Sequence, residues 1–105
     1  MELSKKKVLV FGTGKSGIGA AGLLLQKGAS VVLYDGNQEK DADELKAQFA
    51  ADAALEIVLG TLPESVMDTL DLVVMSPGVP CDLPEVLLMK GKGIRIWGEV
   101  ELAYE

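Results

Sequence analysis

Apolar runs alternate along this chain with amphipathic stretches, and the alternation predicts its elements. Residues 8–11 (Val-Leu-Val-Phe) form a short unbroken apolar run, the pattern of a strand buried on both faces in a parallel sheet. Ile18, Ala21, Gly22 and Leu25 follow at i, i+3, i+4 and i+7, one face of a helix that Gly28 can end as a left-handed cap. A second buried strand spans 30–34. A helix is expected over 38–50, with Leu45, Gln48 and Phe49 on its inner side. Residues 55–59 give a third strand closed by Gly60, and a short helix over 64–70 takes Pro63 as its first position. Residues 71–75 are the fourth strand, broken by Ser76-Pro77-Gly78-Val79-Pro80. Pro84 opens a helix to about Lys90, ended by Gly91 or Gly93; 94–96 is a short fifth strand, and 98–105 begins another helix. Strand–helix alternation throughout predicts an α/β domain: a Rossmann-like, doubly wound parallel sheet of about five strands with right-handed crossovers.

Candidate chemistry gathers where the strands end. Gly12, Gly14 and Gly17 satisfy G-x-G-x-x-G directly after the first strand. The first glycine permits a tight turn, the second lets a ligand's phosphates approach the backbone, and the third lets the helix pack close to the sheet. The helix N-terminus so formed favours an anion. Asp35 ends the second strand, at the place where an acid accepts ribose hydroxyls in dinucleotide sites. No Arg in Asp35-Gly36-Asn37 offers itself to a 2′-phosphate, so this pattern suits NAD over NADP. A phosphate loop of the G-x-x-x-x-G-K-[ST] type is disfavoured, because Leu9 stands where its first glycine belongs. Three loops therefore carry the candidate site: 12–17, 35–36 and 76–80.

Composition narrows the possibilities. The 105 residues are 49% hydrophobic and 25% charged, the balance of one folded domain. No apolar stretch is long enough to cross a bilayer and no signal peptide opens the chain, so a cytoplasmic protein with no membrane partner is expected. A net charge of −6 argues against nucleic acid. The chain has no His, which removes His-based triads, general bases and metal ligands. Cys81 is alone and has no base to activate it, so it reads as a bystander. Glu39, Asp41, Asp43 and Glu44 read as a solvated helix start, not a metal cluster. Met67, Met75 and Met89 read as core fillers and Trp97 as packing at the domain's end.

Gly12-Thr13-Gly14-Lys15-Ser16-Gly17, Asp35, Met75-Ser76-Pro77-Gly78-Val79-Pro80 and the ending Gly93-Ile94-Arg95-Ile96-Trp97-Gly98-Glu99-Val100-Glu101-Leu102 together resemble the N-terminal domain of the Mur ligases, closest to the members that add D-glutamate. The resemblance spans nearly the whole chain. It implies that residues 1–105 are a domain excised from a three-domain ligase, and that they bind the uridine diphosphate (UDP) moiety of UDP-N-acetylmuramoyl-L-alanine. A central domain would bind ATP and magnesium, and a third would bring the amino acid; the ligase activates a carboxyl as an acyl phosphate and then forms an amide. Carried over by position, Gly12, Gly14, Lys15, Ser16 and Gly17 would meet the ligand at the glycine loop, Asp35 and Gly36 the uracil, and Ser76, Pro77 and Gly78 the diphosphate end. Family members usually carry Leu where Lys15 stands; its charge either strengthens a phosphate contact or faces solvent. The family's ATP loop and metal-binding groups do not occur in these residues. This chain is therefore expected to bind without catalysing and to hold no metal or cofactor of its own. The other reading is an NAD-binding module of an oxidoreductase or a ligand-sensing regulator.

Overall fold

A computed structural model describes residues 4–37, 39–49, 53–75 and 83–98, with the backbone alone at Lys15 and Ser16. The elements are β1 (Lys7–Phe11), α1 (Lys15–Gln26), β2 (Ser30–Asp35), α2 (Ala42–Lys46), β3 (Leu55–Leu59), α3 (Glu64–Met67), β4 (Leu72–Met75), α4 (Pro84–Gly91) and β5 (Arg95–Gly98). All five strands pair in parallel, in the order β3-β2-β1-β4-β5. The expected α/β parallel sheet is what forms. From β1 the chain builds outward through β2 and β3, then returns to the other side of β1 for β4 and β5. The order thus reverses between β1 and β4, where Phe11 is the register partner of Met75. Ligands of open parallel sheets sit beyond the carboxyl ends of the strands at such a reversal.

Alternate residues of each strand feed two cores. Val8, Val10, Val31, Leu33, Leu72 and Val74 face one side, where they meet Ala20, Ala21 and Leu24 of α1. Leu9, Phe11, Val32, Tyr34, Val73 and Met75 face the other, where Met67 of α3 and Val86 and Met89 of α4 cover them. Burial on both faces is the reason the central strands β1, β2 and β4 have unbroken apolar stretches, whereas the edge strands β3 and β5 carry the exposed Glu56 and Arg95. Met67, Met75 and Met89 are core residues, as expected.

The helices depart from expectation more than the strands. α1 starts inside the glycine motif, at Lys15. Its buried face is Gly17, Ala20, Ala21 and Leu24, whereas Ile18, Gly22 and Leu25 are only partly buried. Small residues point at the sheet because close approach is what they permit, so the larger apolar flanks sit to either side. α2 is much shorter than 38–50. The Asp41 carboxylate caps it, accepting from Asp43 N–H and Glu44 N–H, and after Lys46 the chain tightens into turns in which Gln48 and Phe49 N–H groups reach back three residues. Leu45 is buried and Phe49 partly so, but Gln48 is exposed. Pro63 precedes α3 as its cap, with an extended backbone, and is not its first helical residue. α3 then ends at Met67 because Thr69 and Leu70 bond three residues back. β5 extends to Gly98, since pairing of Trp97 with Val74 and Gly98 with Met75 carries the ladder past the apolar run. Gly98 therefore closes a strand and does not open a helix; residues 99–105, with the helix expected there, lie outside the described residues, as does Cys81.

Two glycines inside α1 have no structural role in their own neighbourhood: a Cβ added at Gly19 or Gly22 would meet no atom within 4 Å. Neither has a positive φ. Gly19→Ala and Gly22→Ala should each stabilise the domain by about 0.5–1 kcal/mol by lowering the entropy of the unfolded chain, read as a higher urea midpoint. Gly28 behaves oppositely. Its φ is +87° and an added Cβ would come within 3.1 Å of Ser4 Oγ, so Gly28→Ala should destabilise.

Candidate functional site

The candidate residues gather at the carboxyl ends of β1 and β2. β1 ends at Phe11, and Gly12 continues the ladder by one bond, its N–H donating to Tyr34 C=O at 2.7 Å. Gly12 then turns with φ +118°, a conformation that side chains resist. Thr13 follows, buried, with its hydroxyl donating to Asp35 Oδ2 at 2.7 Å. Gly14 caps α1 in an extended conformation, φ −71° and ψ −176°, with no side chain to serve the helix end; Ile18 N–H bonds to its carbonyl at 3.0 Å. The first N–H groups of α1 have no acceptor within the helix and point forward with the positive end of its dipole.

The three glycines differ in what their backbone and surroundings require. Gly12 is required by its backbone. Gly17 is buried within the first turn of α1. Gly14 is required by neither backbone nor neighbours: a Cβ there would meet nothing within 4 Å. The space in front of it is open.

Asp35 closes β2 and is held on both carboxylate oxygens. Oδ2 accepts from Thr13, and Oδ1 accepts from Asn37 N–H at 2.8 Å. Its backbone is fixed as well, because Gly60 N–H donates to Asp35 C=O at 2.9 Å and the buried Tyr34 hydroxyl donates to Gly60 C=O. Tyr34 also stacks edge-on against Phe11, with ring centroids 4.8 Å apart. Partial burial pushes the Asp35 carboxyl upward, but the bonds from Asn37 and Thr13, with Lys40 nearby, outweigh it and hold the group below the ordinary aspartate range. A carboxyl lowered in the folded state stabilises fully above its unfolded pKa and loses that contribution as pH falls through its folded value. The window therefore lies below about pH 4. Asp35→Asn should flatten that acid limb: between pH 6 and pH 3 its urea midpoint should fall less than that of the unaltered chain.

Of the residues singled out from sequence, Gly12, Gly14, Gly17, Asp35 and Gly36 meet at this end of the sheet, together with the backbone of Lys15 and Ser16. Gly36 is exposed, and an added Cβ would lie 4.0 Å from Tyr34 Oη, so nothing around it forbids a side chain. Ser76, Pro77 and Gly78 lie outside the described residues; β4, which they follow, ends at Met75 beside Phe11. Thr13 and Asn37 are partners that sequence reading missed. The signal for Thr13 was a hydroxyl between the first two glycines, meaningful only once β1 and β2 are known to be neighbours. Among the described residues no three His, Cys, Asp or Glu side chains gather as metal ligands, and no helix is long and apolar enough to cross a membrane.

Solved structures with this architecture include shikimate dehydrogenase from Aquifex aeolicus (TM-score 0.63, 24% identity, 92% of this chain and 43% of that one). D-lactate dehydrogenase from Escherichia coli is similar too (TM-score 0.62, 20% identity, 93% and 29%). At these identities they share the fold alone. Sequence relatives are far nearer. UDP-N-acetylmuramoylalanine--D-glutamate ligase of Lachnospira eligens is 48% identical over 99% of this chain, and that of Lachnoclostridium phytofermentans 49% over the same share. This chain spans about a quarter of the length of those relatives (23%). Residues 6–98 match the model of the Mur ligase MurD-like N-terminal domain. With its whole five-stranded sheet inside that match, the chain belongs to the MurD-like N-terminal domain family of the Mur ligases.

Proposed function

We propose that this chain is the nucleotide-holding domain of a ligase that joins D-glutamate to UDP-N-acetylmuramoyl-L-alanine in peptidoglycan precursor synthesis, and that it grips the UDP moiety. The observation that carries the reading is the 48% identity, over 99% of the chain, to a ligase of that name. The site's chemistry supports it. A diphosphate placed before Gly14 meets open space, the N–H groups of the first turn of α1 and the helix dipole, which work locally against a net charge of −6. Lys15 and Ser16 stand at that turn. Asp35 is an acceptor, suited to the imide N–H of uracil, with Gly36 leaving room beside it. Ser76, Pro77 and Gly78 are assigned to the diphosphate end, because a Pro-Gly turn presents backbone N–H groups to phosphate oxygens.

The sequence has no ATP loop and the chain spans 23% of the length of the ligases it resembles, and activation and amide formation are assigned in this reading to the rest of such a ligase. This chain contributes position: it fixes one end of a long substrate and leaves the reacting carboxyl to be presented elsewhere. Incubated alone with ATP, it should release no phosphate.

Nuclear magnetic resonance (NMR) titration with UDP, and separately with NAD, tests the reading. UDP has about 25 non-hydrogen atoms, and at about 0.3 kcal/mol each its affinity is limited to roughly the micromolar range, so the titration must extend to millimolar ligand. UDP should move the amides of residues 14–17, Asp35 and Gly78 while NAD leaves them in place. The reverse pattern would make this an NAD module and end the proposal.

A further inference from the structure

We propose that Thr13 is a positioning residue for nucleobase choice: its hydroxyl fixes Asp35 as an ionised, acceptor-only group, so that the site takes a base offering N–H and refuses one offering a lone pair. The inference rests on the UDP reading above and goes beyond it. Thr13 is the buried polar side chain of the described core, at 4% exposure, and its single described side-chain bond is the 2.7 Å donation to Asp35. A buried hydroxyl spent on a carboxylate does two things. It adds a short, charge-assisted bond that favours the ionised form, and it fixes the rotation of the carboxylate plane. With Asn37 N–H on Oδ1 and Thr13 on Oδ2, each oxygen keeps a lone pair and neither carries a proton to give. Uracil presents N3–H to such a group; cytosine presents N3 as a bare acceptor, and two acceptors face to face repel. Because Thr13 sits between Gly12 and Gly14, the same residue also sets the base-contacting acid in register with the loop that faces the phosphates.

The test compares the unaltered chain with Thr13→Val, Thr13→Ser and Asp35→Asn, titrating each by NMR with UDP, CDP and inorganic pyrophosphate. The unaltered chain should favour UDP over CDP by about tenfold or more. Thr13→Val keeps the shape but not the donor; it should weaken UDP by about 5–20-fold, reduce the preference over CDP in step, and leave pyrophosphate unchanged. Thr13→Ser should restore both UDP affinity and preference to within about threefold. Asp35→Asn, whose amide both donates and accepts, should bring the two nucleotides within about threefold of each other. In the absence of ligand, the Asp35 carboxyl carbon should titrate at higher pH in Thr13→Val and return in Thr13→Ser. Full UDP affinity and preference in Thr13→Val, with both lost in Asp35→Asn, would overturn this inference and leave the UDP reading standing. An equal loss of pyrophosphate and UDP in Thr13→Val would overturn it too, by showing a disturbed loop. No response of the unaltered chain to UDP would overturn both.

Discussion

Leu24→Ala should lower the unfolding free energy by about 2–5 kcal/mol, the range for emptying a buried leucine site. The reason lies in how α1 meets the sheet. Its buried face is Gly17, Ala20, Ala21 and Leu24, and only Leu24 is both large and fully buried. It packs in the core formed by Val8, Val10, Val31, Leu33, Leu72 and Val74, which belong to three neighbouring strands. The small residues beside it are held at close range and cannot extend into the space it leaves. A domain of this size has about 5–15 kcal/mol in all, so one truncation removes a large share. Urea unfolding should show a lower midpoint with an unchanged slope. Leu87→Ala is the control: that side chain is 54% exposed, and its loss should cost no more than about 0.5 kcal/mol. A cost below about 1 kcal/mol at Leu24 would mean that α1 is anchored by something else.

The second large effect is on binding. Gly14→Ala should weaken UDP at least tenfold while moving the urea midpoint little. Its φ of −71° suits any residue and its added Cβ meets nothing, so the fold has no reason to resist beyond the roughly 0.5–1 kcal/mol by which glycine exceeds alanine as a cap. The cost falls on the ligand, whose phosphates lose their approach to the backbone. Gly12→Ala gives the contrast. There φ is +118°, so stability and binding should fall together. Titration and unfolding of the two variants side by side separate a glycine kept for the ligand from one kept for the chain. Unchanged UDP affinity in Gly14→Ala would remove the glycine loop from the site.

What could be read from sequence follows from where the information sits. β3 was legible to the residue, since Leu55 to Leu59 is apolar but for the exposed Glu56 and is bounded by a glycine at φ +84°. Asp35 was legible because its spacing from the glycine loop is a local pattern. α2 was not: from sequence, 38–50 is one helix-compatible stretch, and only the Asp41 carboxylate turning onto Asp43 and Glu44 shows where it begins. The inner face of α1 was read one position late: Ile18, Ala21, Gly22 and Leu25 were expected where Gly17, Ala20, Ala21 and Leu24 are the buried residues. Periodicity fixes the spacing of a face but not its exact phase against the sheet. Trp97 joined β5 through its partner Val74, and Thr13 met Asp35 across a strand pair. Contacts between elements are written in no single stretch of sequence.

The central place of β1 has a consequence for how the domain is made. It is the first strand synthesised, yet one of its two edges waits for β4, and Lys7 N–H meets the Asp71 carboxylate 64 positions later. At about 5–20 residues per second, the ribosome takes roughly 3–13 s to supply that partner. Until then the half-sheet of β1, β2 and β3 shows an apolar strand with an open row of N–H and C=O groups, the feature that invites pairing with another chain. A nascent chain paused short of residue 71 is where this domain stands most in need of a chaperone.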